Sequence, residues 1–471
     1  MTAVLEYTQR VRLHPDTHIA QADPGTALTH LWGRHRLIGL DDLEVGLLRR
    51  MTEGDVDIEE LAPTRLGKLP TQLPTVVART FARGGRDLLT ATPINRRAKA
   101  LTLGRVHGSA VGLSRFAYLR RGDDGLVLEA PASDYRITVH DPSVAAFLAV
   151  ITAPVSVDDA AARSGLDAED AAVVVAVLAS TGLLHDDDDR LRLWEFHDLL
   201  FHHRSRYGLH DYPGGGRFAH PDLPHAAAVA PLEPAARTIE LPVPAWDDVV
   251  SRDLPLTVAL ESRRSHRQYA RDITVDELGE LLYRAARVRG VASLGGEHPY
   301  IGVDRPYPAG GALGELEIYV VVHACDSVEP GVYRYDSAGH RLVLRNDDPA
   351  ARMALAGQAI LATAGAVTDP QTQLVITSRL DRVQWKYSAI AYALTLKHVG
   401  VLMQNLYLIA TAMNLSACGN GSADTDVVAC AVGVDWAQEP PVGEILIGGP
   451  TSQPQPNATG FRDVVGRTRG E

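Results

Sequence analysis

Three arginines and two serines stand within six residues, 262–267, at the end of a predicted helix. A guanidinium group offers a planar set of donors that matches phosphate oxygens, and a serine hydroxyl adds another donor. This composition suits the binding of one phosphate group better than the binding of a polymer. A basic turn exposed to solvent is the alternative interpretation.

Two glycine-rich segments could approach a flat ligand closely. In RPYPAGGALG, 305–314, proline restricts the backbone while glycine and alanine remove side-chain bulk, so main-chain N–H groups become accessible. The segment is neither a Walker nor a dinucleotide-binding motif, and it could be a structural loop. The second segment, CGNGS at 418–422, could complete a ligand site or merely terminate the helix before it.

Lys386 and Tyr387 stand side by side at the start of a predicted helix. Such a pair can act as acid, base or oxyanion donor, although each side chain needs its pKa lowered from about 10 to act as a base near neutral pH. An ordinary interfacial helix start is the alternative. His197, His202 and His203 lack the spacing of HExxH or a zinc finger, so we predict no metal site.

The elements that must position these residues lie in 251–451, which we predict to be an α+β domain. Thr274 and Glu277 form a capping box before an amphipathic helix. Apolar strands follow at ELEIYVVVHA, QLVITSRL and GEILIGGP, with a hairpin at GVYRYDSAGHRLVLR. Residues 384–413 predict one long central or interfacial helix of about 30 residues, or ~45 Å.

The upstream half predicts different structures. Residues 113–218 show strands, three helices with caps at Ser156 and Asp167, and a returning strand at LRLWEF, which is the pattern of a winged helix-turn-helix. Residues 1–112 read as a mixed α/β region, with a possible diverged copy of that pattern at 10–62. Residues 219–250 are rich in proline and alanine and predict a linker, and 452–471 form a polar tail.

Composition narrows the functional classes. The chain has 471 residues and a formal net charge of −12, which argues against general nucleic-acid binding. Three cysteines without CxxC spacing predict a reducing, cytoplasmic location. We expect neither a signal peptide nor a membrane span, since no apolar run approaches ~18 residues.

Taken in order, the motifs ESRRSHRQY, RPYPAGGALGELEIYVV, GVYRYD, WKY, LKHVGVLMQNLYLIATAM and PVGEILIG resemble those of nitroreductase-fold flavoenzymes. More narrowly, they resemble the SagB-type peptide dehydrogenases, which oxidise thiazolines and oxazolines to thiazoles and oxazoles in ribosomally made peptides. WEFHDLLFHHRSRYG resembles the same subgroup, so the likeness covers about 190–451. It implies a C-terminal nitroreductase-like domain with an antiparallel-rich mixed sheet, preceded by winged-helix-like N-terminal structure.

The resemblance also implies site residues and FMN as cofactor. Lys386 and Tyr387 match the catalytic Lys-Tyr pair of the azoline oxidases. Ala309 replaces a usual serine, Gly314 a frequent bulky residue, and 419–423 reads GNGSA rather than a fuller glycine run. The implied FMN-binding residues are Arg263, Arg264, Ser265 and Arg267 for the phosphate and ribityl chain, Pro308, Ala309, Gly310, Gly311, Ala312 and Leu313 from the partner subunit, and Gln404, Gly419, Asn420 and Gly421.

We therefore hypothesise a homodimeric azoline dehydrogenase in which Tyr387 or Lys386 removes the ring proton and flavin accepts the hydride. A precursor peptide and a cyclodehydratase are the expected partners of the winged-helix region. DNA binding there is disfavoured by the acidic stretch 186–189. The alternatives are an NAD(P)H-dependent reductase of dehydroamino acids or nitro compounds, and a non-catalytic scaffold of a peptide-modifying complex.

Overall fold

The computed structural model describes residues 5–104, 106, 110–185, 189–212 and 214–450. The predicted polar tail at 452–471 and residues 186–188 of the acidic stretch lie outside the described residues. The chain divides into two compact units, 1–214 and 215–471. The predicted division between residues 112 and 113 therefore does not coincide with a boundary between compact units.

The N-terminal unit is built on a seven-stranded antiparallel sheet of order β5-β1-β6-β7-β10-β9-β8, with a separate three-stranded sheet β2-β3-β4. Strands from both sides of residue 112 share the larger sheet. The strands are β1 (Thr8–Leu13), β2 (His18–Gln21), β3 (Thr26–His30), β4 (Gly33–Leu37), β5 (Val56–Asp57), β6 (Val77–Arg83), β7 (Arg86–Pro93), β8 (Tyr118–Gly122), β9 (Gly125–Glu129) and β10 (Tyr135–Val139).

Three helices follow β10, as the sequence predicts, and the first and third of them pack on this sheet. Ser156 and Asp167 cap the second and third of them by accepting backbone N–H groups of the first turn. The helices of the unit are α1 (Asp42–Glu53), α2 (Ile58–Leu61), α3 (Leu69–Gln72), α4 (Pro142–Val150), α5 (Val157–Ser164), α6 (Ala168–Ser180) and α7 (Phe196–Arg204).

The predicted strand at LRLWEF, 191–196, is wrong. A short 3₁₀ turn, Asp189–Leu191, is followed by an irregular stretch and then by α7. Leu193 is 93% exposed, so its side chain faces no core. The Arg115 guanidinium donates to the carbonyl oxygens of Leu191 and Trp194, which replaces the strand ladder as a partner for this backbone.

A buried carboxylate joins α7 to the sheet of the N-terminal unit. Glu129 is fully buried and pairs with Arg120, Arg136 and Arg204 at 2.7–2.9 Å. Burial alone would raise the pKa of Glu129, but the three guanidinium groups hold that pKa well below its usual range. The cluster thus connects the end of α7 to β8, β9 and β10.

The C-terminal unit contains a seven-stranded antiparallel sheet of order β11-β18-β17-β15-β19-β21-β20. A parallel pair, β12 and β16, and a hairpin, β13 and β14, lie outside it. The strands are β11 (Thr238–Glu240), β12 (Ile273–Thr274), β13 (Gly290–Leu294), β14 (Tyr300–Asp304), β15 (Leu316–Val322), β16 (Cys325–Asp326), β17 (Gly331–Asp336), β18 (Arg341–Asn346), β19 (Thr372–Ser378), β20 (Ser416–Asn420) and β21 (Pro441–Gly448).

Helices cover both faces of that sheet, which explains why β15 and β19 are buried along their whole length. The predicted capping box of Thr274 and Glu277 is confirmed at the start of α10. The helices are α8 (Trp246–Arg252), α9 (Leu256–Ser262), α10 (Val275–Ala286), α11 (Pro349–Ala362), α12 (Leu380–Lys386), α13 (Ala391–Ala412) and α14 (Thr425–Val432).

The single long helix predicted for 384–413 is wrong, because two helices, α12 and α13, occupy this stretch. Tyr387 has φ −113° and ψ 142°, an extended conformation that ends α12. Ser388 accepts a turn hydrogen bond from Ala391 as α13 begins. The apolar pattern continues through the break because both helices pack on the same core, so periodicity alone does not reveal it.

An extended strap, 217–231, lies along α12 within the C-terminal unit. Main-chain oxygens of Ala226 and Ala227 accept hydrogen bonds from the guanidinium groups of Arg382 and Arg379, both at 2.7 Å. Arg382 is completely buried, and burial lowers its pKa to about 10. The predicted linker 219–250 thus contains most of the strap, together with β11 and part of α8.

None of the helices within the described residues has the length and apolar character needed to cross a bilayer.

Candidate functional site

Tyr407 on α13 brings two of the predicted motifs together. The hydroxyl of Ser265 lies 3.1 Å from the Tyr407 hydroxyl, and the guanidinium carbon of Arg263 lies 5.3 Å from the centre of the tyrosine ring. The Gly419 N–H donates to the same hydroxyl at 2.6 Å. The arginine segment, 262–267, and the second glycine-rich segment, 418–422, therefore meet at one side chain, Tyr407, which was not identified from the sequence.

The rest of the arginine segment runs beside β20. The His266 N–H donates to the Ala417 oxygen at 3.0 Å. Burial raises the pKa of the Cys418 thiol, and a hydrogen bond with Arg267 offsets part of that effect. Arg264 is exposed and donates to the carbonyl oxygens of Glu261 and Arg263. The segment thus presents cationic groups at the edge of the sheet.

A side chain at Gly419 would compete for space with Met403. A Cβ atom at this position would lie 2.7 Å from the Cε atom of Met403 on α13. Asn420 and Gly421 follow directly, at the end of β20 and in the turn after it. Backbone in this turn can be approached closely because side-chain bulk is missing.

Lys386 forms the centre of a second group. Its ammonium nitrogen lies 2.5 Å from the Tyr300 hydroxyl and 4.3 Å from the centre of the Tyr300 ring. The Tyr300 hydroxyl donates to the Gly311 oxygen at 2.9 Å. Gly311 has φ +66°, and a Cβ there would lie 2.6 Å from the Lys386 nitrogen and 3.0 Å from the Tyr387 hydroxyl. The structure therefore brings the predicted Lys-Tyr pair against the predicted glycine-rich loop.

The loop 308–313 is held in place by His398 on α13. The Gly310 N–H donates to His398 Nε2 at 2.7 Å, so this nitrogen acts as an acceptor. His398 Nδ1 is hydrogen-bonded to the carboxylate of Glu315, which is completely buried. From these partners we assign the neutral tautomer with its proton on Nδ1. Neither His398 nor Glu315 was identified from the sequence.

The remaining loop residues face different environments. Pro308 is exposed, Leu313 is completely buried, and Ala312 has φ +54°. Ala309 lines a groove of about 580 Å³ between the loop and the β13–β14 hairpin. The loop thus combines an anchored end with an open face.

The two groups lie apart within one chain. His398 and Tyr407 are nine residues apart on α13, which corresponds to about 13 Å along the helix axis. Within the described residues, no hydrogen bond or ring contact joins the Tyr407 group to the Lys386 group. Gln404 is exposed on α13 and is brought to neither group.

His398, Glu315 and Tyr300 were not identified from the sequence, and each of them contacts a partner that is far away in the chain. His398 and Glu315 are 83 positions apart, and Lys386 and Tyr300 are 86 positions apart. Periodicity reports only neighbours on the same element, so it carries no signal for such pairs. For Tyr407 the available signal was its place in LKHVGVLMQNLYLIATAM, nine residues after His398.

Two regions of the chain match the models of known protein families. Residues 260–449 match the model of the nitroreductase family, and residues 111–211 match that of the cyanobactin oxidase ThcOx. A protein of Methanocaldococcus jannaschii that is described as a nitroreductase is 30% identical over 189 residues, covering 39% of this chain and 85% of its own.

Solved structures with similarity to the chain include a protein from Ralstonia eutropha that is described as a nitroreductase. It has 24% identity and a TM-score of 0.36, and the match covers 49% of this chain and 96% of that one. The E. coli microcin synthetase McbBCD complex with truncated pro-MccB17 bound has 18% identity and a TM-score of 0.34. That match covers 41% of this chain and 73% of the other.

Proposed function

Because the chain belongs to the nitroreductase family, we propose that this oxidoreductase is an FMN-dependent dehydrogenase that oxidises thiazoline or oxazoline rings in a ribosomally made peptide. The observation that carries the proposal is the group formed by Lys386, Tyr300, Gly311 and Tyr387. It sets an ammonium group and a phenol beside a loop whose backbone is free of side-chain bulk. A proton-accepting or proton-donating pair beside a flat ligand is what ring oxidation requires.

The residues present are compatible with FMN. Arg263, Arg264 and Arg267 supply cationic donors for a phosphate group, and Ser265 supplies a hydroxyl. Asn420 offers side-chain donor and acceptor atoms that have no partner among the described residues. Gly419 and Gly311 allow close approach of neighbouring side chains, Met403 to the first and Lys386 and Tyr387 to the second. These residues would hold the cofactor, with loop 308–313 contributed by the partner subunit of a homodimer.

When bound, FMN would supply the hydride acceptor that ring oxidation needs. The chain itself has to orient the azoline ring and take the proton from its carbon atom. Tyr387 or Lys386 would take this proton, since the two polar groups lie against Gly311 from the same side. Tyr300 and the strap restrain Lys386 from two directions, because Lys386 also accepts the Arg217 N–H through its main-chain oxygen at 2.7 Å. Restraint of this kind reduces the entropy lost when the reacting groups are aligned.

Replacement of the pair tests the assignment. We expect Lys386→Ala and Tyr387→Phe to lower kcat on an azoline peptide by about 10²–10⁴-fold, the usual range for loss of a general acid or base. Flavin content should stay at the wild-type level, because neither residue belongs to the arginine segment. Turnover is followed by the absorbance of the aromatic product and flavin by its visible band.

Lys397→Ala is the matched control, since Lys397 is exposed on α13 and touches neither group. Wild-type turnover by both site variants would contradict the catalytic assignment. If the purified protein remained colourless after incubation with FMN, the flavoenzyme proposal would fail and the scaffold alternative would replace it.

The peptide nature of the substrate is supported by the match of residues 111–211 to a cyanobactin oxidase model. We propose that this region, expected to be winged-helix-like, binds the leader of a precursor peptide or a cyclodehydratase partner. Fluorescence titration with a labelled leader peptide tests the docking, with a gel-shift assay on duplex DNA as the competing measurement. Binding of DNA but not of peptide would contradict the proposal.

A second candidate function is an NAD(P)H-dependent reductase of nitro compounds or dehydroamino acids. It is favoured by the M. jannaschii relative, which is described as a nitroreductase. Anaerobic mixing distinguishes the two functions, because bleaching of the flavin by NAD(P)H supports the reductase. Bleaching by an azoline peptide alone supports the dehydrogenase.

A further inference from the structure

Two main-chain oxygens of the loop 308–313 are held by donors that keep their protons near neutral pH. The Gly311 oxygen accepts from the Tyr300 hydroxyl at 2.9 Å. The Leu313 oxygen accepts from the buried Arg382 guanidinium at 2.7 Å. Phenols and guanidinium groups ordinarily lose their protons only in alkaline solution. These two contacts should therefore persist across the neutral and mildly acidic range.

The third main-chain contact of the loop depends on a base instead. The Gly310 N–H donates to His398 Nε2 at 2.7 Å, and this nitrogen accepts only while the imidazole is neutral. His398 is 6% exposed, and its Nδ1 is hydrogen-bonded to the completely buried carboxylate of Glu315. Glu315 thus keeps the proton of the neutral ring on Nδ1. A second proton, on Nε2, would set two N–H donors against each other and break the contact.

The backbone of the loop needs such contacts to keep its shape. Two consecutive residues, Gly311 with φ +66° and Ala312 with φ +54°, lie in the left-handed region. Glycine adopts this region readily, whereas alanine does so rarely and only where its surroundings impose it. Loss of a neighbouring contact would therefore let this stretch relax toward an ordinary conformation.

A change in the loop would reach Lys386 directly. A Cβ atom at Gly311 would lie 2.6 Å from the Lys386 nitrogen. The Tyr300 hydroxyl contacts both the Lys386 ammonium group and the Gly311 oxygen. Contacts thus run without interruption from the buried Glu315 through His398 and the loop to the ammonium group.

We propose that neutral His398 is a positioning residue that holds loop 308–313 against Lys386, and that a proton on His398 releases the loop. This inference rests on the proposed function and adds His398 to it as a residue that acts through the loop rather than on the substrate. Release of the loop would withdraw the surface against which Lys386 is aligned. Turnover should therefore fall in acid for a reason that lies outside the Lys-Tyr pair.

Charged groups of both signs lie near His398 and Glu315, so a pH profile of the wild type alone would not identify the group that takes the proton. A variant without the imidazole is needed for that. The titratable groups nearby are Glu317 of β15, Arg305 and Tyr307 of the segment before the loop, Arg379, Asp381, Arg382 and Lys386 at α12, and Lys397 on α13.

Hydrogen exchange tests the inference without a catalytic assay. Exchange of the main-chain amides of 305–313 is followed by mass spectrometry in the full-length protein from about pH 5.5 to 8.5, the range in which histidine ordinarily changes its charge. His398→Gln keeps an acceptor that takes no proton, whereas His398→Phe keeps the bulk and has no acceptor. His323→Gln is the control, because His323 is a half-buried histidine outside the loop.

Comparison of each variant with the wild type at the same pH removes the intrinsic pH dependence of exchange. At the acid end, we expect 305–313 to exchange about threefold to tenfold faster in the wild type than in His398→Gln, the worth of one hydrogen bond. At the alkaline end the two should agree. Exchange in His398→Phe should be fast at every pH, and His323→Gln should follow the wild type. If His398→Phe does not fold, His398→Gln carries the test.

Initial rates on an azoline peptide connect the loop to turnover. The kcat of the wild type should fall toward acid more steeply than that of His398→Gln, by about the same threefold to tenfold. Parallel kcat profiles in the two proteins would overturn the inference, because release of the loop would then not reach Lys386.

Equal exchange of 305–313 in the wild type and His398→Gln at every pH would also overturn the inference, while leaving the proposed dehydrogenase intact. A wild-type protein that oxidises no azoline peptide, yet shows exchange dependent on His398, would overturn the proposed function. His398 would then remain an anchor of the loop without a part in catalysis.

Discussion

Two contacts restrain Lys386. The Tyr300 hydroxyl holds its ammonium group, and the Arg217 N–H of the strap holds its main-chain oxygen. The Tyr300 hydroxyl accepts from the ammonium group while donating to the Gly311 oxygen, so the three groups form one chain of hydrogen bonds. Chains of this kind fix the positions of their members more firmly than isolated bonds do. At the scale of single residues, Tyr300 is therefore a positioning residue for the proposed pair.

Removal of one oxygen atom tests that role. Tyr300→Phe should lower kcat about tenfold while KM stays within about twofold, because orientation of Lys386 is lost and substrate contacts are kept. Initial rates at several peptide concentrations, measured on protein with full flavin content, give both constants.

Tyr335→Phe is the matched control, since Tyr335 is also buried and its hydroxyl bonds His340 away from Lys386. An equal loss of kcat in both variants would show that Tyr300 acts through stability alone. An unchanged kcat in Tyr300→Phe would contradict the positioning role.

Much of the candidate site could be located from residue types, although its contacts could not. Gly311 and the Lys-Tyr pair were singled out separately, from glycine content and from adjacency, and the structure places them together. Glu315 carried no signal, because a single glutamate usually faces solvent. Only its contact with His398, 83 positions away, reveals a buried pair.

At the scale of elements, the sequence predicts correctly those features that depend on contacts between nearby residues. The capping box of α10 and the caps of α5 and α6 depend on contacts within four residues, and all three are confirmed. The break between α12 and α13 depends on distant contacts instead. Arg382 of α12 donates to Leu313, Ala226 and Ile301, which fixes the direction of that helix independently of α13.

The attachment of α7 gives a prediction for stability. Glu129→Gln removes the charge that three arginines share, so Arg120 and Arg204 lose the carboxylate they pair with, while Arg136 keeps Asp211. We expect the free energy of unfolding of the N-terminal unit to fall by about 3–5 kcal/mol, as is usual when one member of a buried ion cluster is lost. Urea denaturation followed by circular dichroism measures the change.

Glu60→Gln provides the comparison, because Glu60 forms an exposed pair with Arg50. Exposed pairs contribute little to stability, so the denaturation midpoint should scarcely move. Equal midpoints for Glu129→Gln and the wild type would show that the buried cluster does not hold α7.

At the scale of the whole molecule, the separation of the two groups along α13 bears on assembly. A site that needs both the arginine segment and loop 308–313 is completed most simply by two chains, each contributing one group. The exposed apolar residues Leu396 and Val401 on α13 agree with such contact. The homodimer remains a prediction.

Mixing two inactive variants tests shared sites. One carries Arg263→Ala and Arg264→Ala, and the other carries Lys386→Ala and Tyr387→Phe. If each site draws on both chains, unfolding and refolding the mixture should restore about a quarter of wild-type activity, because half of the dimers are mixed and each has one intact site. Activity that stays at the level of the separate variants would mean that each site lies within one chain.

The strap also constrains where the polypeptide can be cut. Its carbonyl groups are the acceptors for Arg379 and Arg382. A gene fragment that encodes the C-terminal unit but starts at the match boundary near residue 260 would discard these acceptors, so Arg379 and Arg382 would each lose main-chain partners at a buried position. Any recombinant version of that half should therefore start upstream of Gly216, and replacing 219–231 by a glycine-serine tether would damage the enzyme rather than simply loosen it.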